Sequence, residues 1–306
     1  MMRQTLLFLF LLLVTACSSK PAVTWKSRIL ETKQHQLPLA YQEYGEKKNP
    51  TLLFLHGFGE SKETWRFIVP ELSKHYHLVL LDLKGFGASP KPKDGLYSVY
   101  DQAKVVAKFM EEKRLENVTV VGRSYGGGVA LVLALMQKDK LIKPDIRRLV
   151  LINSMAYKQL LPSMLRTLNQ PVIGYLGIYL ISNDWMAKEG YRYAFCNDDL
   201  IPKESVELSS AYLSQPLAKY AYLKTVGELI PEDIEEVEKR YKEIVLPALI
   251  IWGREDVSIS VSVAYKLHRD LKNAELVVLP RVGHMPQEEQ PNRVVNEILK
   301  FMEKMP

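Results

Sequence analysis

Six short, mostly apolar runs set the tightest limit on how this chain can fold. They lie at Thr51–Leu55, His77–Leu81, Val118–Val121, Leu149–Ile152, Ala248–Trp252 and Glu275–Leu279. Runs this short and this continuous suit strands buried on both faces, which is what a parallel sheet demands. Helical patterns separate them, as at Tyr97–Lys113 and Val129–Gln137, and Leu37–Tyr44 adds a further strand candidate. Strands alternating with helices predict an α/β architecture, a mostly parallel sheet with helices on both faces. The alternation stops at about Met155 and resumes near Lys242. The intervening residues are Tyr-rich, read as helices and loops, and end in an acidic stretch, 232–243, read as a solvated helix face. A segment that leaves a sheet and then returns to it is most simply a cap over the sheet's ligand-binding edge. Within it, Pro171–Ile181 is apolar almost all round. That stretch fits the core of the cap, or else an acyl-binding wall or membrane-facing lid.

The first residues have a separate logic. Met1–Ala16 carries one charge, Arg3, and the nine-residue apolar run Leu6–Val14. Such a run is too short for a stable membrane span but suits the middle of a secretory signal. Val14-Thr15-Ala16-Cys17 then resembles the bacterial lipobox, in which the cysteine is lipidated and becomes the first residue of the mature chain. By that resemblance residues 1–16 are a lipoprotein signal peptide, and Cys17 anchors the protein in the bacterial cell envelope. Ser18 in place of Asp resembles the pattern sent to the outer membrane of Gram-negative cells. An ordinary signal peptide with a chance cysteine, or an uncleaved anchor, are the alternatives. Residues 17–26 read as a tether. With Cys17 acylated, Cys196 has no disulfide partner, and we expect it to be buried.

The chemistry-bearing pattern is Gly122-Arg123-Ser124-Tyr125-Gly126. A lone G-x-S-x-G is weak, but here it joins an apolar run to a helical pattern, the setting of a nucleophile elbow. The turn lifts the Ser124 hydroxyl above the sheet, and only very small residues fit at its flanks. A serine hydroxyl needs a base and an orienting acid to become a nucleophile. Downstream, Trp252-Gly253-Arg254-Glu255-Asp256 and Val282-Gly283-His284 each follow an apolar run. Asp256 is the candidate acid, with adjacent Glu255 as its rival, and His284 is the candidate base. His35, His75, His77 and His268 lack that strand-end setting and are expected at the surface.

With these motifs in chain order, the sequence resembles the α/β-hydrolase superfamily. The resemblance implies an eight-stranded, mostly parallel sheet with a helical cap. The core would comprise 27–154 and 243–306, and the cap 155–242. It also implies an oxyanion hole from the backbone N–H groups of Phe58, in His56-Gly57-Phe58-Gly59, and of Tyr125. His56 would be a structural hydrogen-bonder and Asp82–Ser89 a scaffold loop. Some relatives carry the acid after the sixth strand; here that position is Asn153-Ser154, which has no carboxylate. Ser124 in place of Asp argues against dehalogenase and epoxide hydrolase chemistry. His56–Lys62, Tyr76–Pro92, Ile201–Val206 and Pro247–Val257, with the lipobox-like start, are similar to lipases of bacterial lipolytic family V. That similarity implies a serine esterase or lipase acting on carboxylic esters, with acylglycerols among them.

Two other readings share the scaffold: a hydrolase of C–C bonds in diketone-like compounds, and a binding protein that has lost catalysis. No zinc-type His/Cys spacing and no phosphate-binding glycine loop is present, so no metal or cofactor is expected. The +6 formal charge comes with no Lys/Arg block longer than a pair. That argues against nucleic acid and leaves an anionic membrane surface as an attractive partner. Nothing in the sequence marks an oligomeric state.

Overall fold

The computed structural model describes residue 29 and residues 37–304. The apolar leader, Cys17, the tether and His35 lie outside the described residues. Every expected run forms a strand. They are β1 (Tyr41–Tyr44), β2 (Thr51–Leu55), β3 (His77–Leu81), β4 (Val118–Arg123), β5 (Ile146–Ile152), β6 (Ala248–Gly253) and β7 (Ala274–Leu279). They make one sheet in the order β1-β3-β2-β4-β5-β6-β7. β1 runs antiparallel to β3, and every other pairing is parallel. The expected eighth strand has no counterpart among the described residues.

Side chains alternate across the sheet, and both faces are covered. Leu53, Leu55, Val79, Leu81, Val120, Leu149, Leu151 and Ile250 point to one layer. That layer is built by helices α1 (Val99–Glu112), α2 (Tyr125–Lys138) and, farther along the chain, one over Val261–Asp270. Leu52, Phe54, Leu78, Leu80, Val121, Val150, Ile152 and Ile251 point to the opposite layer. There Ile68 and Leu72 join the C-terminal helix over Pro291–Glu303. A strand buried from both sides has no polar face to show, hence its continuous apolar reading; each such side chain contributes about 1.5–3 kcal/mol.

Between β5 and β6 the chain forms helices α3 (Ser163–Leu168), α4 (Pro171–Leu180), α5 (Asn183–Ala194), α6 (Lys203–Leu213) and α7 (Ala218–Gly227). The two core helices that follow are α8 (Val261–Asp270) and α9 (Pro291–Glu303). A small core of Leu168, Ile178, Met186 and Val226 holds α3, α4, α5 and α7 together. Among the described residues, no helix is long and apolar enough to cross a membrane.

Three local expectations are corrected. The acidic stretch 232–243 is not one solvated helix but two short turns, Ile234–Glu238 and Tyr241–Glu243. Arg240 pins it to Asp139 at the end of α2 at 2.8 and 2.9 Å. His77 is buried within β3, its ring near the Thr51 hydroxyl at 3.2 Å, because an interior strand leaves it no route to solvent. Cys196 is exposed, since it follows the end of α5 on the outer surface.

Candidate active site

The loops that follow β2, β4, β6 and β7 all leave the carboxyl edge of the sheet, where open α/β sheets bind their ligands. β4 is central, and Ser124 caps it. The Ser124 backbone has φ +50° and ψ −117°, a strained conformation for a residue with a side chain. Two glycines make the turn possible. A Cβ on Gly126 would lie 2.1 Å from the Leu55 carbonyl oxygen, and one on Gly122 would lie 2.5 Å from that of Gly126. The elbow therefore packs backbone directly on backbone, which no other residue permits.

His284 reaches this serine from the loop after β7. Its Nε2 is 3.0 Å from Ser124 Oγ, and its Nδ1 is 2.7 Å from Asp256 Oδ2. An ionised carboxylate only accepts, so Nδ1 carries the proton and Nε2 is free to accept one from the serine. Asp256 is buried and receives four donors. Oδ1 accepts from the N–H groups of Ser258 (2.7 Å) and Ile259 (2.9 Å), while Oδ2 accepts from His284 and from the Asn153 amide (2.6 Å). Burial alone would raise this carboxyl. Electrostatic attraction to His284 and the donors of His284, Asn153 and Ile259 outweigh it and hold the group below its ordinary value. Glu255, the rival, is exposed and accepts from Val282 N–H instead.

The N–H groups of Phe58 and Tyr125 have no acceptor among the described residues. Tyr125 is fixed by its hydroxyl on the Tyr97 carbonyl (2.8 Å), and Phe58 by ring contacts with Phe86 and Tyr222. His56 sits fully buried behind them. Its Nε2 accepts from Leu83 N–H (3.0 Å), which leaves Nδ1 to donate to the Gly57 carbonyl (2.7 Å). Burial pushes its pKa down, so it stays neutral. Asp82 ties the following loop together, accepting from Lys62 and from Ala88 N–H.

Three supporting groups were given no supporting role by the sequence. Arg123, the second residue of the elbow, is buried, donates to the His284 carbonyl (3.0 and 3.2 Å) and pairs with Glu60. Asn153, noted in the sequence only for lacking a carboxylate, holds Asp256 and accepts from Gly253 N–H. Glu289 grips the His284 loop. Its two oxygens accept from Gly283, Met285 and Cys196 N–H groups at 2.9–3.2 Å. Spacing could have flagged Arg123; nothing local could have flagged the other two.

Ser124 and His284 open into a cavity of about 640 Å³. Its walls are largely apolar and include Phe58, Met155, Leu161, Met164, Leu165, Trp185, Met186, Leu213, Tyr222, Ile259 and Met285. Helices α3, α5, α6 and α7 contribute to this lining, but no residue of α4 does. The acyl-wall reading of Pro171–Ile181 is thus corrected. Its cap-core reading survives only at Gly174 and Ile178, the residues of α4 that are buried.

Comparison with known proteins adds to this geometry. A family model described as the alpha/beta hydrolase fold matches residues 50–291. An uncharacterized hydrolase of Bacillus subtilis is 29% identical over 272 residues, covering 86% of this chain and 93% of that protein. Lipase 1 of Psychrobacter immobilis is 27% identical over 300 residues, covering 92% and 90%. The crystal structure of a membrane phospholipase A superposes with a TM-score of 0.71 at 26% identity, covering 89% of this chain and 85% of that one.

Proposed function

The chain belongs to the alpha/beta hydrolase fold family, and from that premise we propose that it is a serine hydrolase of carboxylic esters with Ser124, His284 and Asp256 as its catalytic triad. The observation that carries this reading is the unbroken line from Ser124 Oγ through His284 to Asp256 at the wall of an apolar cavity. In the reaction, His284 Nε2 takes the hydroxyl proton as Ser124 Oγ bonds to the ester carbonyl carbon. The carbonyl oxygen gains the negative charge and lies against the Phe58 and Tyr125 N–H groups, which have no other acceptor to surrender. The tetrahedral adduct collapses, the C–O bond to the alcohol breaks, and His284 returns its proton to the departing alkoxide. Water then enters, and His284 takes its proton as the water oxygen bonds to the acyl carbon. The acyl C–O bond to Ser124 breaks as His284 returns that proton to Ser124 Oγ, releasing the acid. Asp256 stays ionised throughout and balances the imidazolium.

The apolar lining suits an acyl chain better than a charged acid, and relatives named lipase at 25–27% identity support an ester or lipid substrate. We place the protein beside the lipolytic family V lipases, with residues 155–242 as its cap. Residues 1–16 serve as a lipoprotein signal, and Cys17 as the lipid anchor to the envelope membrane. One relative, a hydrolase of 2-hydroxy-6-oxo-6-(2'-aminophenyl)hexa-2,4-dienoic acid, is 25% identical and keeps a C–C hydrolase in view as the second reading. A series of p-nitrophenyl esters of rising chain length separates the two. The ester reading expects turnover, lowered at least roughly 10³-fold in Ser124→Ala with the fold intact. Turnover that survives in Ser124→Ala, or no turnover on any ester, overturns it.

A further inference from the structure

Helix α4 presents a second surface that the catalytic reading does not use. Val172, Ile173, Tyr175, Leu176, Tyr179 and Leu180 are between 50% and 82% exposed, on a helix of ten residues without a charge. The helix is seated on α3 and α7 through Ile178, and its remaining faces have no partner among the described residues. A soluble surface seldom leaves so many large apolar side chains together unless something covers them.

Its surroundings indicate what does. Residues 155–183 hold Lys158 and Arg166 but no Asp or Glu, and α7 holds Lys219 and Lys224 but no Asp or Glu. No ion pair engages Arg166, Lys219 or Lys224 among the described residues, and Lys219 lies 5.5 Å from the Tyr179 ring. An apolar helix flanked by unpaired cations, with its nearest carboxylate in the chain, Asp184, engaged by the Ser210 hydroxyl, is complementary to a negatively charged sheet of headgroups over acyl chains. Tyr175 and Tyr179, with ring centres 5.0 Å apart and planes tilted by 50°, are side chains suited to that boundary. Trp185, three residues past the loop that ends α4, is half exposed and also lines the active-site cavity. The patch therefore leads to the mouth of the cavity.

We propose that α4 is a membrane-docking element that lies on an anionic lipid surface and sets the cavity mouth against it. This contact is separate from any N-terminal anchor and does not depend on the identity of the reaction. A tryptophan on α4 reads it out in the full chain. The emission added by Leu176→Trp over wild type should be quenched by vesicles of phosphatidylglycerol and brominated phosphatidylcholine in equal parts. Partition judged by that quenching should fall about tenfold or more when Ile173→Glu and Leu180→Glu are added, since each removes a large apolar contact. Vesicles of phosphatidylcholine alone should bind at least roughly tenfold more weakly, given Lys219 beside Tyr179 and the further cations Arg166 and Lys224 on α3 and α7. Neither glutamate touches the cavity, so hydrolysis of soluble p-nitrophenyl acetate should be unchanged. Absent quenching, equal quenching by uncharged vesicles, or a dimer in gel filtration that the two glutamates dissociate each overturns the proposal; the last makes a second copy of the chain the occupant. If wild type hydrolyses no ester, the catalytic reading fails while the quenching still decides this one.

Discussion

Replacing Glu289 with Gln isolates how far the His284 loop is held by one buried carboxylate. Oε1 accepts from Gly283 (2.9 Å) and Met285 (3.2 Å), and Oε2 from Gly283 (3.0 Å) and Cys196 (2.9 Å). Gln has a single oxygen. If that oxygen stays on Gly283 and Met285, its NH2 group meets the Cys196 N–H, donor against donor. Stranding a buried donor costs about 1–3 kcal/mol. An opposing effect must be counted. Burial pushes the Glu289 carboxyl above its ordinary value against the pull of these donors, so ionising it in place costs free energy that Gln escapes. The two nearly offset, leaving a net loss of about 1 kcal/mol, or about 2 °C in Tm for a domain of this size. Catalysis should be hit harder. Glu289 joins the residues either side of His284 to the end of α5, whose Ala194 carbonyl accepts the His284 N–H at 2.6 Å. Freed of that grip, the imidazole drifts from Ser124, and a drift approaching 1 Å costs up to about 10²-fold. The expected result at 25 °C is a kcat on p-nitrophenyl butyrate lowered about 10–100-fold with KM little changed. Circular dichroism should show the protein fully folded. An unchanged kcat beside a lowered Tm would refute the positioning role, because Glu289 would then hold chain and not base.

Two further substitutions test neighbouring groups. In Asp256→Asn the single amide oxygen is drawn to the Ser258 and Ile259 N–H pair, and its NH2 then faces His284 Nδ1 and the Asn153 amide. His284 must switch to the Nε2–H form, which cannot take the serine proton, so kcat should drop about 10³–10⁴-fold; a loss under tenfold sinks the argument. Glu288, buried between Thr64 and Ser205 hydroxyls at 2.7 Å, has its carboxyl pushed up to about 7, chiefly by burial. A raised folded-state pKa means its stabilising contribution is complete below about pH 4.5 and is lost as pH rises to about 7, a span of about 3 kcal/mol. Glu288→Gln should therefore gain on wild type by about that amount between pH 4.5 and 7.5 in urea denaturation. Parallel curves at the two pH values would exclude it.

The strands were legible because burial on both faces leaves a continuous apolar run, and β2, β3, β4, β5 and β6 all sit in such positions. Ser124, Asp256 and His284 were legible for a related reason: each follows a strand at the same edge, one to three residues beyond a glycine. What escaped was whatever acts through space. Glu289 works on the backbone N–H groups of Gly283, Met285 and Cys196, and a backbone amide has no sequence signature. Asn153 matters because β5 and β6 are neighbours in the sheet, which brings its amide to Asp256. The outward turn of α4 was likewise invisible, since an apolar helix reads the same whether a core or something else will cover it.

The 3.0 Å contact between Ser124 and His284 spans 160 residues of chain. A ribosome adding roughly 5–20 residues per second takes on the order of ten seconds to travel that distance. During that interval the elbow strand exists, but no imidazole has been made to activate it. Asp256 is synthesised before His284, so the orienting carboxylate precedes the group it orients. Chemical competence arrives as a single late event, when β7 and its loop close the carboxyl edge of the sheet. Under the proposed triad, a chain that terminates early, or is clipped before β7, carries only an ordinary serine hydroxyl at the elbow.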